Sequence, residues 1–80
     1  MMDYLIGIDL GTSSTKTIII NSAGEIIAEA TESYPLYQPN NGWAEQKPED
    51  WAKATFSTVK NVVNQLSFED RKKVKGIGFS

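Results

Sequence analysis

Residues 6–27 read IGIDLGTSSTKTIIINSAGEII, and the way this stretch divides decides the fold. Two apolar, β-branched runs flank a break made of Asp9, Gly11 and four consecutive hydroxyl residues, Thr12 to Thr15, followed by Lys16. The second run ends in Ile18, Ile19 and Ile20, which suits a strand buried on both faces. Asn21-Ser22-Ala23-Gly24 is a turn cluster in which Gly24 can take a positive φ. The pattern predicts strands over 4–9 and 15–20 and a third over 25–33, where Ile27, Glu29 and Thr31 alternate with Ile26, Ala28 and Ala30. Three strands on short turns make an antiparallel meander.

Residues 34–48, YPLYQPNNGWAEQKP, hold all three prolines, Gly42 and an Asn-Asn pair, so no regular element is expected there. A connection this long is unusual in a compact domain, and Tyr34, Leu36, Tyr37 and Trp43 are expected to pin it by packing. Pro48-Glu49-Asp50 opens a helix in the favoured way, with proline first and carboxylates at the positive end of the dipole. Ala52, Phe56, Val59, Val63 and Leu66, widened by Val62, form an apolar stripe that predicts a helix over 48–66 facing the sheet. Ser67 to Lys73 reads as a turn or a brief helical piece, and VKGIGFS, residues 74–80, as a fourth strand. With a helix between them, strand four can return parallel to strand one. The expected fold is α/β, β-β-β-α-β, with a mixed sheet of order 3-2-1-4.

Eighty residues make at most one small domain, and 40% hydrophobic content is enough for a globular core. There is no cysteine and no histidine, which excludes disulfides, thiol catalysis and histidine-based zinc or general-base chemistry within the chain. A net charge of −2 leaves no nucleic-acid footprint, and the basic residues Arg71, Lys72, Lys73 and Lys75 read as a solvated turn or helix end. MMDYLIGIDL lacks the basic and long apolar segments of a signal peptide, and no run approaches membrane-spanning length. A cytoplasmic protein with neither nucleic acid nor membrane as partner is expected.

A hairpin tip presenting Gly11, Thr12, Ser13 and Ser14 offers clustered backbone N–H donors and hydroxyls, a concavity that takes phosphate oxygens without fixed positive charge. Gly11 permits close approach, Asp9 is a hard oxygen donor suited to magnesium, and Lys16 adds a point charge. Neither GxxxxGK(S/T) nor GxGxxG is present. Taken alone, DLGTSS reads as a plain polar turn as readily as a phosphate clamp.

The stretch 6–27 resembles the first phosphate motif of the actin-like ATPase superfamily. YPLYQPNNGWAEQKPEDWAKATFSTV, residues 34–59, is similar to the segment after the third strand in FGGY carbohydrate kinases, and VKGIGFS to the strand leading into their sugar-binding segment. GWAEQ-x-PEDW is the most specific portion and is most similar to xylulokinases, with gluconokinases the alternative. Ala52 and Lys47 stand where many members carry a second tryptophan and an acid.

The resemblance implies a partial ribonuclease-H-like (actin-like ATPase) domain, about the first sixth of a two-domain enzyme. It implies phosphoryl transfer from ATP with Mg2+ to a sugar of the pentulose or gluconate class. Gly11, Thr12, Ser13, Ser14 and Lys16 would then serve the ATP phosphates and Asp9 the metal, with no catalytic base among residues 1–80. Readings of another class are an actin-like ATPase serving as chaperone, cytoskeletal subunit or activator, and a binding module without catalysis. A helix covering one sheet face, with Ile18–Ile20 and the strand-one leucine and isoleucines bare on the other, leads us to expect a homodimer or larger assembly.

Overall fold

The computed structural model describes residues 3–34 and 48–79. Strands β1 (Tyr4–Leu10), β2 (Ser14–Ile20) and β3 (Ile26–Ser33) are followed by helices α1 (Pro48–Asn64) and α2 (Phe68–Arg71) and by strand β4 (Val74–Phe79). The sheet order is β3-β2-β1-β4, with β1/β2 and β2/β3 antiparallel and β1/β4 parallel. This is the expected topology. Most of the connection predicted over 34–48, with Leu36, Tyr37 and Trp43, lies outside the described residues, as does Ser80.

Period-two burial places Tyr4, Ile6 and Ile8 of β1, Thr15, Thr17 and Ile19 of β2, and Ala28 of β3 beneath α1. They form the core with Val62 and Leu66. The turn between β2 and β3 is held by buried Asn21, whose Oδ1 accepts from the N–H groups of Ala23 and Glu25, both at 2.9 Å. Gly24 completes it at φ +84°, a conformation that costs glycine little. After α1, Ser67 caps α2 by accepting from Asp70 N–H at 3.1 Å. The Lys73 ammonium, 2.9 Å from Asp70, holds that carboxyl below its ordinary range and is itself raised.

Two expectations are corrected. The buried stripe of α1 is Ala54, Thr58 and Val62, whereas Ala52 is exposed and Phe56 is 72% exposed. Small side chains let α1 settle close over β2 and β3, and it scarcely touches β1. Ile6, Ile8 and Ile19 point to the α1 side of the sheet and are buried rather than bare, whereas Leu5 and Leu10 are exposed and Ile18 and Ile20 are half-buried. The helix leaves the β4 side of its own sheet face open, where Ile77 and Phe79 are 58% and 64% exposed. Among the described residues, no helix is long and apolar enough to cross a membrane.

Candidate functional site

The ladder between β1 and β2 runs from Leu5 opposite Ile20 to Leu10 opposite Thr15. Beyond it Gly11 N–H donates to Ser14 O at 2.8 Å. In a regular two-residue hairpin the reciprocal bond, Ser14 N–H to Gly11 O, would close the turn. Among the described residues that bond is not made, and Gly11 O accepts instead from the Tyr34 hydroxyl at 2.6 Å. Tyr34 follows β3 directly, is buried, and also reaches Ser14 O at 3.1 Å. Thr15 Oγ1 donates to the same hydroxyl at 3.4 Å, and Tyr34 N–H donates to Ser13 O at 3.0 Å. The hairpin tip is thus held from beneath by its carbonyl oxygens.

That arrangement does not draw on the amides at the centre of the tip. Among the described residues, no acceptor takes the N–H groups of Thr12 or Ser13, whose side chains are exposed. Gly11 is favoured by close approach, because an added Cβ would lie 3.0 Å from Ser14 O. Of the four hydroxyl residues, Thr15 is fully buried and belongs to the core, so the tip retains Thr12, Ser13 and Ser14.

Asp9 and Lys16 are cross-strand partners, exposed on the sheet face opposite α1. Asp9 lies within β1, which runs one residue further than expected. Both line a hollow of about 380 Å3 whose floor includes Gly7 and Gly78. Lys16 Nζ lies 4.0 Å from Glu29, so its charge is shared with β3. Among the described residues, no cluster of three metal-binding side chains occurs. A lone carboxylate beside free N–H donors suits a magnesium ion that arrives with phosphates and keeps most of its waters. The donor set therefore fits a nucleotide-metal group, and the predicted residues Asp9, Gly11, Thr12, Ser13, Ser14 and Lys16 converge on one end of the β1–β2 hairpin.

A family model for the N-terminal domain of the FGGY family of carbohydrate kinases matches residues 4–80. The chain belongs to that family. Xylulose kinase of Bacillus subtilis (strain 168) is 44% identical over 79 residues, which is 99% of this chain and 16% of that FGGY relative. A gluconate kinase structure from Lactobacillus acidophilus superposes with a TM-score of 0.87 at 28% identity, over 100% of this chain and 15% of that one. Ligand-bound xylulose kinase from the same organism gives 0.86 at 28% identity, over 98% of this chain and 15% of that one. The FGGY chain described here thus spans a small part of each relative's length, and its fold is that of the corresponding part of these sugar kinases.

Sequence reasoning missed the role of Tyr34, which reads from the sequence only as a residue packing down the following connection. The available signal was its place at the end of the third strand, since the meander returns that end to the hairpin tip.

Proposed function

We propose that the protein carrying this chain is an ATP-dependent sugar kinase acting on D-xylulose, located in the cytoplasm. Residues 1–80 are the N-terminal part of the first of its two actin-like ATPase domains. The observation that carries this reading is the hairpin tip, where the N–H groups of Thr12 and Ser13 have no acceptor among the described residues and Asp9 lies two residues before Gly11. ATP with magnesium supplies the phosphoryl group and neutralises its charge, and the protein's contribution is positioning. In this reading Gly11, Thr12, Ser13 and Ser14 cradle the phosphate oxygens, Lys16 lies beside the nucleotide, and Asp9 holds the metal directly or through water. The base that takes the sugar hydroxyl proton lies outside residues 1–80. The likeness to a gluconate kinase structure supports D-gluconate as the second reading of the substrate.

The test is ADP release by the purified protein with Mg-ATP and each sugar. Turnover is expected with D-xylulose. Turnover with D-gluconate alone selects the second reading, and turnover with neither overturns the kinase assignment. The 80-residue chain by itself is expected to phosphorylate no sugar, because proximity and charge stabilisation cannot operate without the base and the sugar contacts.

A further inference from the structure

We infer that Tyr34 is a positioning residue whose hydroxyl sets the phosphate-binding state of the β1–β2 hairpin, an inference that rests on the phosphate reading above. The observation behind it is a tip carbonyl that accepts from the Tyr34 hydroxyl and not from the amide facing it. Gly11 and Ser14 stand opposite each other at the tip, and their pairing is half made: Gly11 N–H reaches Ser14 O at 2.8 Å, while Ser14 N–H does not close back on Gly11 O. At 2.6 Å from Gly11 O, the Tyr34 hydroxyl takes the place of that closing donor. Buried polar groups are almost always satisfied, so the tyrosine meets the carbonyl's need from beneath and releases a backbone donor above.

Three features make the hold specific. The ring is buried at 7% exposure, so the hydroxyl is delivered by a fixed side chain. Its own lone pair accepts from Thr15 Oγ1, which is 0% exposed, and this orients the O–H toward the two tip carbonyls. Its backbone N–H also binds Ser13 O, so the tip and the residue after β3 move as one body. The Thr12, Ser13 and Ser14 amides are then arranged before any anion arrives, and preorganised donors bind anions without reorganisation at the moment of binding.

Removing the hydroxyl while keeping the ring separates this role from packing. In Tyr34→Phe the Gly11 carbonyl is free to take Ser14 N–H, closing the hairpin as an ordinary turn and consuming one donor. The experiment uses the complete kinase with three readouts. Without nucleotide, hydrogen exchange at Ser14 N–H is expected to slow in Tyr34→Phe. With Mg-ATP, KM for ATP is expected to rise about tenfold or more, the lower end of what losing one hydrogen bond to a charged group costs. KM for the sugar is expected to stay within about twofold, a change too small to count as lost binding.

Asn21→Ala is the control for general loosening, since it weakens the far end of the same meander. It is expected to lower the melting temperature and leave KM for ATP unchanged. An unchanged KM for ATP in an active Tyr34→Phe enzyme overturns the inference and leaves the kinase reading intact. Equal rises in KM for ATP in Tyr34→Phe and Asn21→Ala also overturn it, because loosening alone then accounts for the effect. A wild-type protein without kinase activity defeats the kinase reading instead, while an unchanged Ser14 exchange rate in Tyr34→Phe still overturns the Tyr34 role.

Discussion

Gly11 and Gly78 lie at the same end of the sheet yet differ in what they tolerate. A Cβ at Gly11 would sit 3.0 Å from Ser14 O, and the atom it meets is backbone. Gly11→Ala is expected to cost about 1–2 kcal/mol, since overpacking against a fixed atom forces the hairpin to shift. A Cβ at Gly78 would meet nothing within 4 Å, so Gly78→Ala should leave the melting temperature unchanged. Thermal denaturation of the two variants checks the contrast. Asp9 belongs to the opposite category, exposed and without a resolved ion-pair partner among the described residues. Asp9→Ala is expected to move stability by less than about 0.5 kcal/mol, as exposed sites usually do. It should nevertheless lower kcat by about a hundredfold or more, the scale on which removing one preorganised electrostatic group acts. Near-normal turnover in Asp9→Ala would defeat the assignment of the hairpin to the phosphates. That Asp9 and Gly11 fall at one hairpin end was legible in the sequence because the strand and turn pattern places them there, and the contact made by Tyr34 was not, because it spans 23 positions of chain.

Between α1 and β2 the decisive contact is polar. Thr58 Oγ1 donates to Ala54 O at 2.8 Å and therefore accepts from Thr17 Oγ1 at 2.7 Å, in a place where both residues are almost fully buried. The direction of that bond makes the two substitutions unequal. Thr58→Val strands the Thr17 donor and is expected to cost about 2 kcal/mol, the usual penalty for a buried unsatisfied group. Thr17→Val removes a donor from an oxygen whose own hydrogen stays bonded, and about 1 kcal/mol is expected. The double variant should be less destabilised than the sum, because neither polar group remains to be stranded. Denaturant unfolding of the three variants tests the cycle, and strict additivity would show that the pair is not coupled. The same contact explains why the helix was legible in its existence and start but only partly in its orientation. Of its predicted stripe, Val62 and Leu66 are buried and Val59 and Val63 pack on the core, whereas Ala52 and Phe56 are exposed and Ala54 and Thr58 take the buried positions near the helix start. Phe56 and Trp51 lie away from that buried row and line the groove beside the helix.

At the scale of the whole molecule, apolar surface remains on both sides of the sheet. Leu10, Trp51, Phe56, Ile77 and Phe79 line an open groove beside α1, and Leu5 and Ile26 are exposed elsewhere. Surfaces of this kind seldom stay bare in soluble monomers, and β4 also offers an unpaired edge. The 80-residue chain is therefore expected to self-associate at micromolar concentration in light scattering. A clean monomer with a sharp thermal transition would show that it satisfies its own core. The sheet topology was legible throughout, because strand length, turn chemistry and the helical crossover before β4 leave few arrangements open. Its parallel member also has a kinetic consequence. Leu10 meets Thr15 across a tight turn, whereas Tyr4 meets Val74 only after nearly the whole chain has been gathered in. As bare loops, the second closure costs about 2 kcal/mol more in chain entropy than the first. The meander can form early, and β4 joins late and leaves first. Under native conditions its amides should exchange through partial opening while those shared by β1 and β2 wait for global unfolding.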